Sequence, residues 1–122
     1  MTDYRILITG SRDWTDYEAL KYAIIVNTIG KSRWRTTIVH GACPTGADYM
    51  AAGYAFNEGF NVEAYPADWN KHGRAAGPIR NQQMVDLGAD ICLAFPLGES
   101  RGTRHCMQAA EKAGIKVINY GD

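Results

Sequence analysis

Four stretches of the chain gather residues suited to holding an anion. Gly10-Ser11-Arg12-Asp13-Trp14 puts a turn, a hydroxyl and a guanidinium directly after an apolar run. Gly41 to Asp48, reading Gly-Ala-Cys-Pro-Thr-Gly-Ala-Asp, puts Gly41, Gly46 and the Asp48 carboxylate after a second such run. Asp68, Trp69, Arg74, Arg80 and Asn81 fall between Pro66 and Asn81, and the stretch from Pro96 closes on Gly102-Thr103. Glycines let a backbone turn sharply and come close to a ligand, and the helices that follow aim free N–H groups at it. Arginine offers paired donors that match phosphate oxygens, which suits Arg12, Arg74 and Arg80 to a phosphate. Trp14 and Trp69 can give a base or sugar a flat surface. Each feature also has a plainer use. Glycine after a strand often serves only the turn, an arginine can be a solvated charge, and a tryptophan can be core. Arg80 reads as part of a first helical turn, where the dipole disfavours a cation, and this favours a role facing an anion.

Other chemistries lack their residue patterns. Cys43, Cys92 and Cys106 are an odd set without CxxC spacing, and His40, His72 and His105 form no HExxH pattern. Neither a disulfide framework nor a zinc site is expected, and no metal is assigned. Cys43 and Cys106 read as small hydrophobes rather than nucleophiles, and His105 as a surface or ligand-edge histidine. No GxGxxG follows the first apolar run and no GxxxxGK[ST] occurs anywhere. The dinucleotide fingerprint and the P-loop are both missing, so no cofactor is implied.

The elements that must position these loops alternate in period. Tyr4 to Thr9 reads as a buried strand ending at Gly10, and Tyr17, Leu20 and Ile24 mark an amphipathic helix over roughly 16–29, with Gly30 as its stop. Thr36 to His40 is a β-branched strand. Ala47, Met50, Ala51, Tyr54 and Ala55 form the clearest helical stripe, ended by Gly59. Asn61 to Tyr65 reads as a strand and 67–76 as a loop. Gly77-Pro78 opens a helix running to about Leu87, with proline at its first position. Asp90 to Phe95 is a strand. Thr103 to Ala113 is a helix with Cys106, Ala109, Ala110 and Ala113 on one face, and Lys116 to Tyr120 closes the chain as a strand. Such alternation predicts an α/β, Rossmann-like three-layer sandwich around a mostly parallel sheet, in strand order about 3-2-1-4-5. Ligands of such sheets bind beyond the strands' carboxyl ends, where the order reverses. Gly10, Gly41 and Gly102 are therefore expected on one rim.

The 122 residues suit one domain spanning 1–122, and 46% hydrophobic content is enough for one core. Thirteen basic residues balance thirteen acidic ones, so nothing global suggests a nucleic-acid coat or membrane surface. No apolar run is long enough to span a bilayer and the first residues lack a signal-peptide layout, so a cytoplasmic location is expected.

Five of these segments, in order, resemble the YspA-type, cpYpsA-related branch of the SLOG superfamily, which is related to the Smf/DprA and lonely-guy (LOG) proteins. They are Gly10 to Asp13, Gly41 to Asp48, Pro66-Ala67-Asp68-Trp69, Gly73 to Asn81 (GRAAGPIRN), and Ala94-Phe95-Pro96 with Gly102-Thr103. The resemblance implies a Rossmann-like fold with a site for nucleotides or nucleotide-derived signals. LOG enzymes use a GGxGTxxE loop for phosphate and a glutamate, with an arginine on the preceding helix. Gly102 and Thr103 match the GT of that loop, and Arg80 matches the helix arginine. The GG pair is reduced to Gly98 or lost, and Cys106 stands where the glutamate would be. A thiol cannot replace that carboxylate. The first reading is therefore a nucleotide-type ligand-binding or sensor domain. The second is an N-glycosidic hydrolase using Asp68 or Glu99 as acid–base group. Single-stranded DNA binding of the Smf/DprA type ranks third, because the chain is neutral and lacks a basic stripe. LOG relatives associate through helices, which leaves a homo-oligomer open here.

Overall fold

The computed structural model describes residues 3–122. Its strands are β1 (Tyr4–Gly10), β2 (Thr36–His40), β3 (Asn61–Ala64), β4 (Ile91–Phe95) and β5 (Lys116–Asn119). Its helices are α1 (Tyr17–Asn27), α2 (Gly46–Glu58), α3 (Trp69–His72), α4 (Ala76–Asp86) and α5 (Arg101–Lys112). All strand pairings are parallel, in the order β3-β2-β1-β4-β5. This is the predicted α/β, Rossmann-like architecture and strand order.

Strand alternation divides the core. Ile6 and Ile8 of β1 point to one face, where Ile38, Leu93 and Phe95 meet Leu20 and Ile24 of α1 and Ala47, Ala51 and Ala55 of α2. Leu7 points to the other, where Val39 and Cys92 meet Met84 and Val85 of α4 and Cys106, Ala109 and Ala110 of α5. The central strands β2 and β4 are buried throughout, as expected of strands covered on both faces. Edge strand β3 is mostly exposed, and its Glu63 is tied back to Arg5 of β1 by paired contacts of 2.8 and 3.0 Å. Among the described residues, no helix is long and apolar enough to cross a membrane.

Several local expectations are corrected. The α1 helix starts on the Asp16 side chain, which accepts the Ala19 N–H at 3.0 Å, and stops at Asn27, with Thr28 as its cap. The segment expected as loop contains α3 and a 3-10 turn at Gly73–Ala75. A four-residue helix is too short to show a period; Asp68 starts it by accepting the Lys71 N–H at 3.0 Å. Pro78 is the third residue of α4 rather than the first, still inside the turn whose N–H groups lack helical partners. Ala113 caps α5 and is exposed.

The turn into α2 tolerates no side chain. Gly46 has φ +74°, and a Cβ there would overlap the Ser11 carbonyl and the Arg12 backbone. Ser11 O in turn accepts the Ala47 N–H at 3.2 Å, and the Thr45 hydroxyl donates to Arg12 O at 3.0 Å. The loop after β1 and the start of α2 are thus in backbone contact. Gly46→Ala is expected to lose about 2 kcal/mol or more of unfolding free energy in urea titrations. Gly53→Ala, at a helical site with nothing within 4 Å, should gain roughly 0.5–1 kcal/mol. Equal stability of the two variants would refute this account of the turn.

Candidate functional site

Beyond the carboxyl ends of β1, β2 and β4 lies a cleft of about 930 Å³. The sheet order reverses at β1, with β2 on one side and β4 on the other, which is where open parallel sheets bind ligands. Gly10 to Asp13 form the centre of the lining, Gly41 to Pro44 with Asp48 form the β2 side, and Ser100 to Thr103 with His105 form the β4 side. Ala67, Trp69, Arg74, Gly77, Arg80 and Asn81 add a wall. Gly10, Gly41 and Gly102 share this rim.

Arg80 holds the wall to the floor. It is the fifth residue of α4, two positions further in than expected. Its Nη1 donates to the carbonyls of Gly41 and Tyr65, and its Nε to Asn81 Oδ1 at 2.9 Å. Gly41 has no side chain because that guanidinium occupies the space: a Cβ there would overlap it. Asn81 is buried and passes the connection on, donating from Nδ2 to Gly102 O at 3.1 Å, with His105 Nδ1 at 3.4 Å. A charge with these partners acts first as a staple.

Asp48 sits in the first turn of α2, only 7% exposed, and its Oδ2 accepts the N–H groups of Gly41 (3.1 Å) and Cys43 (3.3 Å). These two bonds bracket Ala42, which is held at φ +60°. A left-handed alanine costs about 1–2 kcal/mol, and such strain persists only where the surroundings fix it. Burial raises the Asp48 carboxyl to about 6, against the pull of the Cys43 and Gly41 N–H groups and the Arg80 and Arg12 charges. Its neighbour His40 accepts the Ala42 N–H on Nδ1 at 3.0 Å, and burial with the Arg80 charge lowers its pKa.

These two groups pull stability in opposite directions with pH. The native state binds the Asp48 proton more tightly than the unfolded chain, so that contribution is present at low pH and is lost as pH rises from about 4 through 6. His40 is held neutral, so its contribution is lost as pH falls through the unfolded histidine value. Comparing Asp48→Asn with the wild type cancels His40. The difference in unfolding free energy should move in the variant's favour between pH 4 and 7, by on the order of 3 kcal/mol. A difference that stays flat with pH would show that Asp48 is not a strained buried acid.

The start of α5 is built differently. Its N-cap, Ser100, has φ +42° and makes no side-chain capping bond, and the first turn carries no acidic residue. Gly102 in that turn has nothing within 4 Å of where a Cβ would lie. A helical glycine costs roughly 0.5–1 kcal/mol against alanine, and no packing in the protein accounts for this one. The N-terminal N–H groups therefore open on the cleft with the helix dipole behind them. Of the arginines around the cleft, Arg12 lies 5.9 Å from the Trp69 ring centroid, and the Arg74 side chain makes no hydrogen bond or ion pair among the described residues. Arg101 is paired with Glu99 at 2.7 Å.

The remaining expected site residues fall into two groups. Ser11, Arg12, Trp69, Arg74, Asn81 and Thr103 line the cleft. Asp68 and Glu99 do not: Asp68 caps α3, and Glu99 is an exposed partner of Arg101. Gly46 lies behind the lining, packed on the β1 loop. Trp14 is core rather than platform. It packs edge-on to Phe95 at 5.3 Å, and its Nε1 donates to Asp16 O at 2.9 Å. Cys106 is buried, absent from the cleft lining and pushed up to about 11 by burial, so it is a neutral thiol. Within the expected rim loops Asp13, Ala42 and Ser100 also line the cleft, and the left-handed backbone of Ala42 and Ser100 is not signalled by glycine. No group of three or more His, Cys, Asp or Glu among the described residues is placed to hold a metal ion.

The fold and its rim define a Rossmann-like α/β protein with its cleft at the topological switch point. A family model described as YspA, cpYpsA-related SLOG family matches residues 4–72. The Gene 61 protein of Mycobacterium phage D29 is 50% identical over 123 aligned positions, covering 97% of each chain. The chain belongs to the YspA, cpYpsA-related SLOG family. Among solved structures, two of the C-terminal domain of a Pyrococcus furiosus hydrogenase are similar in fold. Both have a TM-score of 0.52, with 18% and 17% identity, covering 98% of this chain and 94% and 92% of theirs.

Proposed function

We propose that this protein binds a phosphate-bearing, nucleotide-type ligand and acts as a binding or sensor domain. The phosphate lies at the start of α5, Arg12 and Arg74 supply mobile positive charge, and Trp69 gives the base a surface. The observation that carries this reading is the uncapped α5 terminus, with a glycine that no protein packing requires, opening on a cleft at the switch point. Arg80 supports the site by fixing the Gly41 loop rather than by lending its whole charge to the ligand.

LOG-type hydrolysis is not favoured. Cys106 replaces the needed carboxylate, and Asp68 and Glu99 stand outside the cleft lining. Single-strand binding is also not favoured, because cleft arginines without a basic stripe fit one small anion better than a polyanion.

Calorimetry with the four ribonucleoside 5′-monophosphates tests the reading. Arg12→Ala and Arg74→Ala should each weaken binding about tenfold or more, since a charged hydrogen bond contributes roughly 1.5–3 kcal/mol. Gly102→Ala should weaken binding without lowering stability, because its methyl would project where no protein atom lies. Unchanged affinity in all three folded variants would move the ligand elsewhere. Release of free base from these nucleotides would replace the binding reading with a hydrolase one.

A further inference from the structure

The α5 terminus and the arginines account for an anion, but they leave a buried carboxylate in the same cleft unexplained. Asp48 lines the cleft at 7% exposure. Its Oδ2 is engaged by Gly41 and Cys43, which explains how the Ala42 turn is held. Its Oδ1 accepts no hydrogen bond from any described residue. A negative group beside an anion site weakens that site unless it meets a donor on the same ligand. Phosphate oxygens cannot provide one, whereas a hydroxyl can.

The strand order fixes how far apart the two recognitions lie. Asp48 belongs to the β2 side and the α5 terminus to the β4 side, with β1 between them. Two strand spacings put them on the order of 10 Å apart. A sugar phosphate laid across the end of β1 fits that separation, with its phosphate toward α5 and its ring hydroxyls toward Asp48. We propose that Asp48 accepts a hydrogen bond from a ring hydroxyl of the ligand's sugar, so that the cleft selects ribonucleotides over nucleotides lacking the 2′ and 3′ hydroxyls. This rests on the nucleotide reading above and adds the group that reads the sugar.

The test is calorimetry with ribonucleoside 5′-monophosphates and their 2′,3′-dideoxy counterparts, on wild type and Asp48→Asn. The wild type should prefer the ribo form about tenfold or more, the expected loss of a hydrogen bond to a charged acceptor. Asp48→Asn should shrink that ratio to near one while leaving dideoxy binding equal or tighter, because a negative charge has gone. A merely structural role for Asp48 would instead weaken both forms together and leave the ratio intact. If Asp48→Asn does not fold, the wild-type ratio is joined by the carbon NMR shift of the Asp48 carboxyl, which should move with the ribo form and stay still with the dideoxy form. Equal wild-type binding of the two forms, or a ratio that survives in folded Asp48→Asn, overturns the proposal and leaves the nucleotide site standing. No binding of any of these nucleotides overturns both.

Discussion

The Arg80 guanidinium joins three parts of the chain that the sheet alone leaves separate: the loop after β2, the end of β3 and the body of α4. Backbone carbonyls at strand ends need donors when the cleft excludes water, and an unsatisfied one costs about 1–3 kcal/mol. A single planar cation can meet several of them at fixed angles, which lysine cannot. The lack of a side chain at Gly41 and part of the charge balance at Asp48 follow from that placement, and the same charge adds to the burial that lowers the His40 pKa. Through Asn81 the same bracing reaches Gly102 on α5, so both sides of the cleft are referred to one side chain.

Order at this rim is maintained at a cost. Ala42 and Ser100 both adopt left-handed backbone, and both line the cleft. One is held by the two N–H bonds that Asp48 accepts around it; the other starts a helix without a side-chain cap. The contrast divides the site into a preset half on the β2 side and a half on the β4 side whose donors remain available.

Much of the architecture was legible because period and punctuation agree. Thr36 to His40 reads as a strand to the residue, and the α2 stripe stops where Gly59 turns left-handed. The site was legible in outline, since the switch-point rule places every strand-end loop on one edge. What stayed hidden depends on partners that sequence does not display. Trp14 and Trp69 are the same residue type, yet Trp14 finds a carbonyl two residues away and a core ring while Trp69 stays half exposed. Arg80 bonds to carbonyls, which every residue carries, so nothing in its neighbours announced them. The capping of α3 by Asp68 was not legible either, because a carboxylate in a loop and a helix cap are spelled the same way.

The parallel pairing has a consequence for how the chain acquires its cleft during synthesis. Every neighbouring pair of strands is joined through a crossover, and Arg5 meets Asp90 across 85 positions of sequence. Contacts so distant along the chain form slowly, because loop closure must be paid before they reward it. A nascent chain that has emerged only as far as β3 holds the Asp48 side of the cleft but neither Arg80 nor α5. The site therefore comes into being only once α4 and α5 have followed β3, and any ligand that fits it pulls by mass action only on chains that have wound through both.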